Sequence, residues 1–270
     1  MMSSDSFVAA VVLLLWMPFP VAAEQGRRLD HSTWNEILKT YVSSESEVDY
    51  SALKEHGAAR LDSYLEPLAG PWPSSMTVPE LKAGLINAYN ALTVRWVVSN
   101  YPVESIWRTR HPFTEARHTL DGRKTSLDQI EGRLRDMDDP RIHAALVCAA
   151  RSCPPLRREA YDPAQVDAQL DANTRAWLAA PSLNGFSPAR RLAGVSMIFK
   201  WYQGDFQRSG SSVTEFLDRF GPPEKTKFLR EPGAKIEYKT YHWGLNDASP
   251  LGRDYSKARF YWDALRNKVF

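Results

Sequence analysis

Apolar residues recur at helical spacing along most of the chain, and strictly alternating runs are few. Trp34, Ile37, Leu38 and Tyr41 form one face directly after Asp30-His31-Ser32, which predicts a first helix. Leu53, Leu61, Tyr64, Leu65 and Leu68 continue the period until Gly70-Pro71 stops it. Thr77-Val78-Pro79-Glu80 reads as a cap with proline in the first turn, opening a helix that ends near Asn100 before Tyr101-Pro102. Within that helix Leu81, Leu85, Ala88, Leu92 and Trp96 make one stripe, while Ile86, Val94 and Val97 lie nearly opposite. A helix apolar on both sides is a buried one.

Residues 103–124 are polar, basic and aperiodic, and read as a long surface loop. Ser126-Leu127-Asp128-Gln129 is a capping-box pattern opening a short helix. Residues 141–148 (RIHAALVC) follow the turn signal Asp138-Asp139-Pro140 and suit a short buried strand. Asp162-Pro163 opens a helix carrying Val166, Leu170 and Trp177, and a further helix carries Val213, Phe216, Leu217 and Phe220. Ile236, Tyr238 and Thr240 alternate with charged residues as a half-exposed strand does. The expected fold class is α+β, a helix-rich single domain with a small central sheet.

Composition narrows this picture. Of 270 residues, 43 % are apolar and 24 % charged, which excludes disorder and a multi-span membrane protein. A formal net charge of +2 gives no case for nucleic-acid binding. Residues 7–21 (FVAAVVLLLWMPFPV) are too short for a comfortable membrane span and run into the small residues Val21-Ala22-Ala23. That pattern reads as a signal peptide over residues 1–23, although the start MMSSDS carries no Lys or Arg. The expectation is a secreted or periplasmic protein with no stable membrane span after cleavage and one domain over residues 24–270.

The candidate chemistry concentrates in two places. Asn87 and Asn90 lie on the Val94 side of the buried helix, where amides either satisfy neighbouring backbone or orient groups in a site. Residues 143–158 (HAALVCAARSCPPLRR) hold both cysteines, His143, Arg151, Arg157 and Arg158. In a regular strand, Cys148 points away from the face of His143. An exposed thiol beside arginines forms thiolate readily, so Cys153 is a candidate nucleophile. Cys148 is the alternative, His143 the candidate base and Asn87 its orienting amide. Two cysteines five residues apart in an exported chain equally suit a disulfide, and inert core thiols are the third reading. The spacing matches no common zinc pattern, and nothing calls for a cofactor. His242 and Asn246, in Tyr241-His242-Trp243-Gly244-Leu245-Asn246, are a second base and amide.

Five segments carry a resemblance: residues 85–98 (LINAYNALTVRWVV), 126–135 (SLDQIEGRLR), 139–163 (DPRIHAALVCAARSCPPLRREAYDP), 198–206 (IFKWYQGDF) and 242–246 (HWGLN). In order and spacing they resemble the family known as domain of unknown function 547. Gly84-Leu85 and His242 depart from its usual pattern. The resemblance implies a compact, often exported α+β domain with kinship to papain-like or transglutaminase-like thiol hydrolases. It marks Asn87, Asn90, His143, Cys148, Cys153, Lys200, Asp205 and Asn246 as motif positions without assigning catalysis to any. Arg151 joins Asn90, Lys200, Asp205 and Asn246 as a candidate binding residue. The leading expectation is a thiol-dependent hydrolase of amide or acyl bonds acting on a small-molecule or peptide-like substrate. The alternative is a non-catalytic binding or envelope-interaction domain with a Cys148–Cys153 disulfide.

Overall fold

The computed structural model describes residues 28–267, so the signal-peptide reading of residues 1–23 lies outside the described residues. The chain runs through α1 (Ser32–Tyr41), α2 (Tyr50–Ala52), a π turn (Leu53–Gly57), α3 (Ala58–Ala69) and α4 (Val78–Asn100). A hairpin of β1 (His118–Leu120) and β2 (Arg123–Thr125) leads to α5 (Leu127–Arg135), α6 (Ile142–Ala145) and α7 (Val166–Ala179). Then come β3 (Gly185–Ser187), β4 (Leu192–Val195), α8 (Ile198–Trp201), α9 (Gln203–Arg208), α10 (Val213–Phe220), α11 (Pro223–Thr226), β5 (Lys235–Tyr238) and α12 (Lys257–Arg266). This is a helix-rich α+β fold. Among the described residues, no helix is long and apolar enough to cross a membrane.

The buried α4 is the axis of the first core. Thr77 and Glu80 close a reciprocal capping box at its start, and every residue from position 83 to 94 is buried, as the two-sided apolar pattern requires. Around it pack Trp34, Leu61, Ile130 and Leu134, from α1, α3 and α5. A second core gathers Trp177 from α7 against Phe199, Phe206, Phe216 and Phe220. Trp177 stacks on Phe199 at 4.7 Å between ring centres. Tyr241 packs against both cores.

Strand structure is confined to two small sheets. β1 and β2 pair antiparallel, and β4 pairs antiparallel with β3 and parallel with β5. The hairpin occupies part of what the sequence reads as a surface loop. Its turn is Asp121-Gly122, with φ of 53° and 69°, the paired positive φ values of a tight hairpin turn.

Residues 141–148 are not a strand. Ile142–Ala145 form a single helical turn, and the chain then extends with no neighbouring strand. The Asn90 amide takes the place of a sheet partner, donating to the Ala145 carbonyl at 2.9 Å and accepting from the Val147 N–H at 2.9 Å. With its polar backbone satisfied by one side chain, an alanine-rich segment follows its helical preference.

Asp139 fastens this turn to α4. It accepts from Lys82 at 2.7 Å and from Arg141 at 2.8 and 2.9 Å. Desolvation would raise its carboxyl, but the hydrogen bonds from Arg141 and Lys82 hold it at about 2, against an ordinary 3.8. A carboxyl depressed on folding stabilises above its unfolded pKa, and that stability is lost as pH falls through the folded value. Asp139→Asn is therefore expected to lower unfolding free energy by about 2 kcal/mol at pH 7. The difference should shrink between pH 3.8 and about 2, and denaturant titrations at pH 7 and pH 2.5 would measure it.

Candidate active site

The disulfide loop is shaped by its backbone. Cys148 and Cys153 form a disulfide with Cα atoms 6.3 Å apart, and the described residues contain no free cysteine. Between them Ala149 has φ of 62°, a left-handed conformation that costs an alanine and clusters at functional sites. This kink turns the N–H groups of Cys148 and Ala150 onto Cys153 Sγ, at 3.1 and 3.4 Å. The Tyr241 hydroxyl lies 3.4 Å from each sulfur. Three donors converging on one sulfur stabilise negative charge there.

The loop is braced by residues 242–246. Arg151 N–H donates to the Gly244 carbonyl at 2.8 Å, Ser152 N–H to that of His242 at 3.2 Å, and Asn246 N–H to that of Ala149 at 3.0 Å. These contacts explain how HWGLN reaches the cysteine segment.

His143 lies on α6, 4 % exposed, with Nε2 2.8 Å from Asp205 Oδ2. The Asp205 carboxylate also accepts from Arg135 at 2.6 and 2.9 Å and pairs with Arg208 at 2.8 Å. Desolvation alone would raise the Asp205 carboxyl, but hydrogen bonds from His143 and Arg135 hold it well below the usual carboxylate range. A carboxylate on Nε2 fixes the orientation and tautomer of the imidazole. The ring packs on Tyr202 at 4.1 Å between centres. Nδ1, with no hydrogen-bond partner among the described residues, is the nitrogen left for chemistry.

His143, Cys148 and Cys153 line one cavity of about 440 Å³, together with Tyr202 and Tyr241. The opposite-face expectation for Cys148 and His143 fails because the segment is not a strand, and Cys153 is not the exposed thiol expected but is 5 % exposed and paired with Cys148. The structure thus brings a cystine, a carboxylate-held histidine and backbone donors to one cavity wall.

The orienting partner of His143 is Asp205 and not Asn87. Asn87 donates to the Tyr161 carbonyl at 2.8 Å and accepts from the Tyr161 N–H at 2.9 Å, so both ends of its amide tie α4 to the segment before α7. Asn90 does the same for residues 145–147. Asn246 accepts from the Tyr50 hydroxyl at 2.8 Å. Arg151 pairs with Glu47 at 2.7 Å and donates to the carbonyl of Asp247. Arg157 pairs with Glu159, and Arg158 donates to the Lys39 carbonyl. The polar environment of the sulfurs thus comes from backbone N–H groups and Tyr241. Lys200 is exposed, 5.8 Å from the Tyr238 ring centre. The His242 ring is held in its own loop, by Gly244 N–H at 3.1 Å and the Arg253 carbonyl at 3.0 Å.

Reasoning from sequence missed Tyr241, Arg135, Asp128 and Glu131. The capping box opens the helix that carries Asp128 and Glu131 but gives no hint of what they face. The sequence marks Asp205 as a motif position and candidate binding residue but not as the partner of His143, because their pairing spans 62 residues and no local pattern carries it.

Fold and site together define a helix-rich α+β domain built around a cavity with a cystine and a His–Asp pair. Residues 73–178 match the family model described as Protein of unknown function, DUF547. The match includes His143 and both cysteines, while Asp205 and Tyr241 lie beyond it. No curated protein and no solved structure matches the chain.

Proposed function

We propose that the protein is a thiol-dependent acyl hydrolase whose resting form is the Cys148–Cys153 disulfide. The observation that carries this reading is His143, held at Nε2 by Asp205 and lining the same cavity as both sulfurs. An external dithiol reduces the disulfide, is itself oxidised to a disulfide, and leaves two thiols. His143 then takes the Cys153 proton, and the thiolate attacks the acyl carbonyl carbon. The charge developing on the carbonyl oxygen falls near the N–H groups of Cys148 and Ala150, which already converge on Cys153 Sγ. Collapse breaks the bond to the alcohol or amine, which leaves with the proton from His143. Water, deprotonated by His143, hydrolyses the resulting thioester and restores the thiol. Asp205 holds the imidazole throughout.

Kinship with papain-like or transglutaminase-like hydrolases, and an exported location, belong to this proposal. An oxidising compartment suits a resting disulfide. The disulfide also favours a second reading, in which the cysteines only staple the loop of a binding domain. Stopped-flow reaction with p-nitrophenyl acetate separates the two. With a dithiol present, a burst of about one equivalent of nitrophenol is expected, absent from the oxidised protein and from Cys153→Ala. No burst after complete reduction would leave the binding reading.

A further inference from the structure

The cavity beside the disulfide is walled by aromatic rings. Tyr241 and Trp243 lie 4.5 Å apart between ring centres, Trp201 lies 4.9 Å from Tyr241, and Trp107 lies 5.4 Å from Trp243. Trp201 is 45 % exposed, so this wall is open to solvent.

The charged groups in this wall are all acids apart from the histidines. Asp128 and Glu131, one turn apart on α5, both line the cavity, and no Lys or Arg among the described residues does. Neither carboxylate has an ion-pair partner among the described residues, while the hydroxyl of Tyr202 hydrogen-bonds to Glu131. Desolvation, and then the charge of Glu131, push the Asp128 carboxyl up to about 6. Arg135 lies 5.3 Å from the Tyr202 ring centre and its charge reaches Glu131, but its guanidinium is hydrogen-bonded to Asp205. A further group is unmatched. The indole N–H of Trp107, a residue 7 % exposed, has no acceptor among the described residues.

Electron-rich ring faces beside unpaired carboxylates attract an organic cation, through the ring quadrupole and direct charge. We infer that the cavity recognises an ammonium group, and that the substrate is an acyl compound carrying one. The word substrate rests on the acyl-hydrolase reading, whereas the preference for a cation does not.

Binding is therefore measured on the oxidised protein, in which neither sulfur can react. Calorimetric titration with choline is compared with titration by 3,3-dimethylbutan-1-ol, its neutral analogue of nearly equal shape. Choline is expected to bind at least ~10-fold more tightly than the alcohol and to quench tryptophan fluorescence. The double variant Asp128→Asn, Glu131→Gln is expected to remove that preference and leave alcohol binding unchanged, and its thermal melt reports whether it is folded. Equal affinity for choline and the alcohol in the unmodified protein would overturn the inference without any variant, as would an unaltered preference in the folded double variant. Choline preference without an acyl burst upholds the cation site and removes the hydrolase. A burst without choline preference does the reverse.

Discussion

Asp205→Asn is expected to slow the nitrophenyl acetate burst of the reduced protein by about 10²- to 10⁴-fold. It should also lower unfolding free energy by about 3 kcal/mol. Asp205 is 5 % exposed and receives His143, Arg135 and Arg208. An asparagine offers one acceptor oxygen where the carboxylate offers two, and its amide N–H groups face donors. His143 then loses the carboxylate that fixes its tautomer, so Nδ1 is no longer held as the acceptor even where the ring stays in place. The stability figure sits at the low end for breaking a buried pair, because both arginines reach solvent.

The pH dependence follows from the same hydrogen bonds. The Asp205 carboxyl is depressed on folding, so it stabilises the protein above its unfolded pKa, near 3.8, and that stability is lost as pH falls toward the lower folded value. Asp205→Asn should therefore cost stability at pH 7 and lose its effect only in strong acid. Burst kinetics and denaturant melts of the same variant separate the two effects.

The second large effect belongs to Gly244→Ala. A Cβ at this position would run into the backbone carbonyl of Gly252 and lie 2.5 Å from Cε1 of His242. Neither backbone can retreat freely. Gly252 has φ of 80° and is wedged against the Glu104 carbonyl, and Leu245 N–H donates to that same carbonyl at 2.8 Å. We expect a loss of about 4 kcal/mol, at the upper end for overpacking, because backbone must move. The Gly244 carbonyl also receives Arg151 N–H, so the disulfide loop should loosen with it. Guanidinium titration gives the stability loss. Faster reduction of the disulfide by a dithiol, at a temperature where the variant is folded, would report the loosened loop.

The helices with strong local signals were legible. The Thr77–Glu80 box, the two-sided apolar pattern of α4 and the Ser126–Gln129 box all appear where the pattern puts them. The Asp121-Gly122 turn is passed over inside residues 103–124, because His118–Leu120 and Arg123–Thr125 hold too few apolar residues to mark it as a hairpin. β3 and β4 contain Gly185, Ser187, Ala193 and Gly194, weak strand formers whose pairing is decided by tertiary contacts. Residues 141–148 misled because a short apolar run does not reveal whether its backbone bonds go to a strand or to an amide such as Asn90. At the site, residue types were readable and partners were not. An Asn near a Cys–His pair suggests a triad, but Asn87 is fully engaged by Tyr161. The N–H groups aimed at Cys153 depend on the φ of Ala149, which an alanine in a sequence does not announce.

The activation of Cys153 by its surroundings is tested most directly by the alkylation rate of each cysteine in the reduced protein. Iodoacetamide labelling between pH 5 and 9, with each site resolved by peptide mass spectrometry, supplies it. Cys153 is expected to react at least ~10-fold faster than Cys148 at pH 6.5, with a midpoint below the ordinary thiol value of about 8.5. In His143→Ala that midpoint should move upward. Two cysteines that react at one rate, rise together near pH 8.5 and ignore the loss of His143 would contradict the account.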